Sequence, residues 1–286
     1  MSGEPPADRN RDQIDFWSGA QGDKWVRLQK RIDALIEPFG RAVQRRLEVA
    51  RGSHALDIGC GCGATSFDLA DAVGPEGSVT GIDVSTPMVQ RATARAATIP
   101  EINLRFVEAD AQTAALPVER FDILFSRFGV MFFDDPVAAF ANLRRATRPG
   151  GRLGFAAWRD RRDNPWATIP ARALRAYVAL PPTPPPNAPG QFGFADEGFV
   201  ADVLDGAGWT DVAVERFDTE IVIGREPVDA ADFLIEIGPA GPALAECDAE
   251  TRRKAYDDLT AQLVPQVRPG GVHMASSIWI VTASRP

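Results

Sequence analysis

The sequence predicts an α/β fold in which a parallel sheet is wrapped by helices. Short apolar runs alternate with stretches of helical period between residues 54 and 158, and such alternation builds a sheet covered on both faces. Turn-forming groups, Gly74-Pro75-Glu76-Gly77 and Pro149-Gly150-Gly151, punctuate the alternation. A glycine loop, Gly59-Cys60-Gly61-Cys62-Gly63, joins the first apolar run to the first helical stretch.

The elements follow in order. Residues 1–9 are expected to be disordered. Residues 11–49 carry Trp25, Leu28, Ile32, Leu35 and Ile36 at helical spacing, with a break expected at Pro38. Residues 54–58 read as a short buried strand, 64–73 as a helix and 78–83 as a second strand. A helix is expected at 87–97, with Ser85 as its N-cap and Pro87 in its first turn. Residues 104–109 and 121–126 are the third and fourth strands, 136–147 a helix and 152–158 the fifth strand. Beyond it the pattern loosens. A helix at 164–179 precedes a proline-rich loop at 181–189 that cannot join a packed element. A helix at 196–206, a sixth strand at 212–217, an insertion at 218–269 with two helical stretches and a final strand at 276–283 complete the chain. The expected organisation is an N-terminal helical lid segment (1–48), a core (49–158), a lid insertion (159–195), a continuation of the core (196–217), a helical insertion (218–269) and a final core strand (270–286).

Composition narrows the function. A chain of 286 residues is long enough for one large domain, or for one domain carrying a lid. A formal charge of -8 offers little to a phosphate backbone, so a nucleic-acid substrate is not expected. Arg159, Arg161 and Arg162 are too few to reverse that. There is no apolar segment behind a basic start and no run of about 18 apolar residues, so neither a secretory signal nor a membrane span is expected. The cysteines, Cys60, Cys62 and Cys247, are odd in number and few, which points to a reducing cytoplasm. No metal site is expected, because no cluster of His or Cys completes four ligands around Cys60 and Cys62.

The glycine loop carries the chemistry. Glycines let the backbone turn sharply and let a ligand approach closely. Dinucleotide-binding enzymes use a similar loop, but here the spacing is Gly-x-Gly-x-Gly rather than Gly-x-Gly-x-x-Gly. Asp57 stands immediately before the loop, where it would repel a pyrophosphate and attract a cation. S-adenosylmethionine has no phosphate and carries a sulfonium and an ammonium. Asp83 ends the second strand roughly 20 residues on, where an acid can accept both ribose hydroxyls. Asp110 follows the third strand, where an acid can accept the adenine amino group. The fourth strand runs into Ser126-Arg127-Phe128-Gly129, at the place expected for the methionine part of the cofactor and for the acceptor. Ligands bind outside the carboxyl ends of parallel strands, so these ends converge.

With these residues in place, the sequence resembles the class I S-adenosylmethionine-dependent methyltransferases, of the small-molecule type similar to the ubiquinone/menaquinone C-methyltransferases. The matching stretches are LDIGCGCGAT (56–65), GIDVS (81–85) with Pro87-Met88, EADA (108–111), FDILFSRFG (121–129) and LRRATRPGGRL (143–153). The resemblance implies a Rossmann-like, seven-stranded, mostly parallel sheet whose last strand runs antiparallel between the fifth and sixth. It implies that Asp57, Gly59, Cys60, Gly61 and Gly63 line the cofactor, that Asp83 with Val84 binds ribose, and that Met88 packs on the adenine. Asp110 and Ala111 would read the adenine edge, with Ser126 and Arg127 at the methionine end. The proline-rich motif of DNA amino-methyltransferases and the Pro-Cys of cytosine methyltransferases are both missing from the sequence.

Methyl transfer needs a base only if the acceptor must lose a proton. His54 precedes the first strand and so lies at the wrong edge. His273 and Met274 would start the antiparallel strand and face the pocket, making His273 a candidate base or acceptor-positioning residue. Arg127 neutralises a carboxylate of cofactor or acceptor, or forms a structural salt bridge. Trp17, Trp25, Phe128, Trp158, Trp166 and Phe192 are candidate walls for a small apolar or aromatic acceptor. The 218–269 insertion widens that pocket or forms a homodimer contact. A non-catalytic cofactor-binding module, an NAD-dependent oxidoreductase and a protein or RNA methyltransferase stand as alternatives.

Overall fold

The computed structural model describes residues 10–99 and 101–286, so the disorder expected at 1–9 lies outside the described residues. The described chain forms two compact units. The first is drawn from Met1–Trp158, Asn187–Arg216 and Ile278–Pro286, and the second from Arg159–Pro186 and Phe217–Ser277.

The first unit opens with helices α1 (Arg11–Ser18) and α2 (Ala20–Leu47). Then β1 (His54–Ile58), α3 (Ala64–Val73), β2 (Ser78–Asp83), α4 (Thr86–Ala96), β3 (Leu104–Glu108), β4 (Phe121–Arg127), α5 (Pro136–Ala146) and β5 (Thr147–Trp158) alternate. In the second unit α6 (Pro165–Leu174) follows, and α7 (Glu197–Gly206) returns to the first. Strand β6 (Thr210–Gly224) leads into α8 (Pro227–Ile237), α9 (Gly241–Ala245), α10 (Ala249–Leu263) and β7 (Val267–Arg268), and β8 (Gly271–Ser284) closes the chain.

The strand order is β3-β2-β1-β4-β5-β8-β6, with β7 paired to β8. Strands β1 to β5 pair in parallel, and β5 pairs antiparallel with β8. The path of seven strands, with the reversed strand between the fifth and sixth, is the expected one. The eighth strand is an addition: β7 is a two-residue arm turning back onto β8 within the insertion expected to be helical. Strands β1 and β4 and the Leu153–Trp158 part of β5 are almost wholly buried, because helices cover both faces of a parallel sheet. Helix α3 buries Thr65, Ser66, Leu69, Ala70 and Val73, a stripe at helical period.

Several boundaries differ from expectation. Helix α2 runs unbroken through Pro38, and the interruption falls instead at Gly19, whose backbone is extended. Proline inside a helix costs about 3 kcal/mol. Phe39, Val43 and Leu47 are fully buried just beyond it, and burial of each is worth about 1.5–3 kcal/mol. Packing therefore outweighs the local penalty. Strand β6 extends to Gly224 and β8 begins at Gly271, so both run further than their apolar patterns. Helix α6 ends at Leu174, and the insertion carries three helices rather than two. In the second unit α10 packs against α6 and α8, burying Leu259 and Leu263.

Candidate active site

Strand β1 ends in the buried Asp57-Ile58, and the chain then turns through Gly59 (φ 66°), Gly61 (φ 54°) and Gly63 (φ 86°). These are left-handed backbones that favour glycine. Gly59 also has no room for a side chain, since a Cβ there would lie 2.6 Å from the Cα of Gly129 beyond β4. Among the described residues, a Cβ at Gly61 would meet Met88 Sδ alone, at 3.7 Å, so this face of the loop is open.

Asp57 is fully buried. Its Oδ2 accepts from the hydroxyls of Thr65 at 2.7 Å and Ser66 at 2.6 Å. Among the described residues its Oδ1 has no hydrogen-bond partner. Burial pushes the carboxyl up to about 6, against the opposing pull of Ser66, Thr65 and the Arg127 charge. A buried acceptor left unsatisfied costs about 1–3 kcal/mol, and a cationic donor is the group that relieves it. Asp83 accepts from the Gly61 N–H at 2.8 Å and the Ser85 N–H at 2.9 Å, which ties the loop to the end of β2. Burial raises its pKa and the backbone N–H groups of Ser85 and Gly61 hold it down. Asp110 accepts from the Gln112 N–H at 2.9 Å, Thr113 Oγ1 at 3.2 Å and Asn10 Nδ2 at 3.4 Å. Ala111 is buried beside it, and its carbonyl accepts from Asn142. Burial drives the Cys60 thiol well above its ordinary value and pushes Cys62 up to about 12. Both are inert thiols rather than nucleophiles.

At the end of β4 the Ser126 hydroxyl donates to the Ile58 carbonyl at 2.7 Å and accepts from the Gly129 N–H at 3.2 Å. It fixes the two loops against each other. Arg127 pairs with Asp33 of α2 at 3.1 Å. Asp33 also accepts from Gln29 Nε2 at 2.8 Å, and Gln29 Oε1 accepts from Arg91 of α4 at 3.2 Å. Of the two roles open to Arg127, the geometry therefore displays the salt bridge. Phe128 adopts a left-handed backbone (φ 69°) and its ring stacks on Trp158 at 4.2 Å and 3°. Such a backbone costs about 1–3 kcal/mol at a non-glycine residue. The stack, the edge of Phe39 at 5.5 Å and a bond from the Phe128 N–H to the Ala156 carbonyl hold it in place.

The N-terminal helices lie against these same loops. Ser18 Oγ donates to the Val84 carbonyl at 2.9 Å, and Ser85 Oγ donates to the Trp17 carbonyl at 2.6 Å. Ser85 thus occupies the N-cap position of α4 without capping it, and its hydroxyl is directed to α1 instead. Trp17 meets Trp25 and Phe132 edge-on, each at 5.3 Å.

Phe192 is half-buried in the first unit. Trp166, His273 and Met274 belong to the second unit. Trp166 Nε1 donates to Asn164 Oδ1 at 3.0 Å, and Met274 is fully buried. His273 Nε2 donates to the Pro269 carbonyl at 3.1 Å, and Nδ1 lies 3.8 Å from Glu220. His54 sits at the start of β1 with Nδ1 on Ser78 Oγ. A cleft of about 770 Å³ between α3 and α4, lined by Arg51, Phe67, Arg91 and Asn103 among others, includes none of the acids of the loop. Among the described residues no group of acids, His or Cys is arranged to hold a metal. Sequence reasoning missed Thr65, Ser66, Gln29, Asp33 and Phe132. The first two directly follow the loop, and Gln29 and Asp33 are spaced for one helix face.

The residues present fit S-adenosylmethionine. The unpaired Asp57 Oδ1 suits an ammonium, and the open face at Gly61 lies beside Met88. When bound, that cofactor supplies an electrophilic methyl group on sulfur. Residues 55–151 match a family described as methyltransferase domain. The chain is 34% identical over 214 residues to nocamycin O-methyltransferase of Saccharothrix syringae, covering 68% of this chain and 74% of that protein. It is 33% identical over 109 residues to demethylmenaquinone methyltransferase of Geobacillus stearothermophilus, covering 38% of this chain and about half (47%) of that protein. The solved structure of phosphoethanolamine N-methyltransferase 2 from Haemonchus contortus, in complex with S-adenosyl-L-methionine, shares the fold. The TM-score is 0.58 at 16% identity, over 97% of this chain and 60% of that one. Taken with the loop and its acids, these likenesses place the chain among the class I S-adenosylmethionine-dependent methyltransferases of the small-molecule type, and it belongs to that family.

Proposed function

We propose that this enzyme transfers the methyl group to a hydroxyl of a small, apolar, ring-bearing metabolite. The observation that carries the reading is the aromatic surface at the exit of β4. Trp17, Trp25 and Phe132 are each half-buried, and Trp17 meets the other two edge-on, whereas Phe128 and Trp158, stacked on each other, are buried. Such surfaces take up flat apolar rings. Oxygen is favoured as acceptor because the match to nocamycin O-methyltransferase extends over 214 residues. The acidic charge of -8 argues against a nucleic acid.

In this reading Asp57 Oδ1 takes the ammonium of the cofactor, Asp83 its ribose and Asp110 its adenine. Transfer is an in-line displacement, and the protein contributes alignment and exclusion of water. An enol or phenol is acidic enough to supply its own anion, so no protein base is assigned. Both ring nitrogens of His273 face partners in the second unit, Pro269 and Glu220. We therefore assign His273 to holding the turn between β7 and β8. Arg127, through Asp33, positions α2 over the site.

The reading is tested with a panel of hydroxylated aromatic and enolic acceptors, scored by mass and NMR of the product. It expects an O-methyl product, and a KM for the acceptor that rises about tenfold or more in Trp17→Ala with kcat little changed. Methylation only at nitrogen, or a Trp17→Ala enzyme with unchanged KM, contradicts it.

A further inference from the structure

The acids that follow β2 and β3 are not the only polar groups at this end of the first unit. Helix α1 brings Asn10, Gln13 and Trp17 onto one face, at the spacing that stacks side chains along a helix. Trp17 accepts from Ser85 through its carbonyl, and Ser18 beside it donates to Val84. Asn10 Nδ2 donates to Asp110. The helix is therefore laid against the two loops from which Asp83 and Asp110 project.

Two oxygens on that face are left over. Asn10 Oδ1 and Gln13 Oε1 are both buried, and among the described residues neither has a hydrogen-bond partner. The orientation at Asn10 is set by chemistry, because only the amide nitrogen can face the Asp110 carboxylate and the oxygen must turn away from it. Asp110 already accepts three donors, from Gln112, Thr113 and Asn10. A carboxylate has about four lone-pair sites, so roughly one remains. An exocyclic amino group on a purine carries two N–H bonds. One satisfies Asp110, and the other needs a further acceptor.

We propose that α1 supplies that acceptor: the carboxamide oxygens of Asn10 and Gln13 share the second N–H in a three-centre bond and so read the amino edge of the adenine together with Asp110. The proposal rests on the assignment of Asp110 to adenine made above. It makes the N-terminal helix a recognition element for the base, in addition to a cover over it. Buried acceptors that no protein donor meets are a cost to the unliganded fold, and the ligand's amino group removes that cost.

The test is calorimetric titration with S-adenosylhomocysteine and S-inosylhomocysteine. In the second ligand a carbonyl oxygen replaces the amino group, so an acceptor faces acceptors. The wild type is expected to prefer the adenine ligand by about 100-fold or more. Gln13→Met keeps the length of the side chain and removes the oxygen. It should weaken binding of S-adenosylhomocysteine about tenfold and narrow the preference between the two ligands. Gln13→Glu, which keeps an acceptor, should retain the preference. Asn10→Leu should behave as Gln13→Met, and thermal melts of the ligand-free variants establish that they are folded. If Asp110→Asn loses the preference while Gln13→Met and Asn10→Leu keep it, α1 plays no part and the reading of Asp110 stands. If the wild type binds both ligands equally, the amino edge is not read and the proposal is overturned.

Discussion

The Ser85 hydroxyl donates to the Trp17 carbonyl at 2.6 Å. That bond couples the loop after β2 to the N-terminal helices, and it is made possible by Gly22 of α2. A Cβ at Gly22 would overlap Trp17 O and lie 2.7 Å from Ser85 Oγ and 2.8 Å from Pro87 Cγ. Gly22→Ala is therefore expected to push α1 off the loop despite alanine's better helix propensity. S-adenosylhomocysteine affinity should fall about tenfold, a loss of roughly 1.4 kcal/mol. Limited proteolysis should cut the N-terminal segment faster. Unchanged affinity and unchanged cleavage would separate α1 from cofactor binding.

Asp57 links function to pH. Its carboxyl is raised from 3.8 to about 6 in the fold, so the anion that suits a cationic ligand forms only as pH climbs through about 6. Affinity for the cofactor should drop roughly tenfold between pH 7 and pH 5. Stability runs the other way. A folded pKa above the unfolded one favours the protonated protein, so the contribution is full below pH 3.8 and lost as pH rises through about 6. The loss amounts to about 3 kcal/mol. Asp57→Asn should recover part of this at pH 8, seen as a raised Tm without ligand, while binding the cofactor more weakly. A variant that melts lower and binds as well as wild type would contradict the assignment.

The Arg127–Asp33 pair is partly buried, with 10% and 23% of the two side chains exposed. Solvent at Asp33 screens the attraction, so a coupling of about 1–2 kcal/mol is expected from a double-mutant cycle of Arg127→Met and Asp33→Asn in urea unfolding. Additive single effects would mean that the pair does not fasten α2 to β4.

Much of this was legible in the chain. Strands β1, β4 and β5 each hold a short apolar stretch (Ala55-Leu56, Ile123-Leu124-Phe125 and Phe155-Ala156-Ala157-Trp158), and residues that must be buried on both faces leave that mark. The glycine loop and the acids Asp57, Asp83 and Asp110 stand at strand ends, where position alone carries meaning. Pro38 misled because local propensity carries no information about Phe39, Val43 and Leu47 burying around it. Asn10, Gln29 and Asp33 stayed hidden for a related reason. Their partners, Asp110, Arg91 and Arg127, are brought to them by packing of α1 and α2 rather than by sequence spacing.

His273 tests the same limit. From sequence it is the leading candidate base; in the fold its ring faces Pro269 and Glu220 within the second unit. His273→Ala is expected to keep kcat within about twofold of wild type, whereas loss of a general base costs about 100-fold or more. A fall of that size, with the alkaline rise of the pH–rate profile abolished, would restore the base.

The most direct test of the whole account is transfer of a labelled methyl group from S-adenosylmethionine into fractionated extract. The account predicts label in an apolar small molecule extractable into organic solvent, and loss of that label in the Asp57→Asn enzyme. Label recovered only in protein or RNA, or none transferred to any small molecule across the fractions, would contradict it.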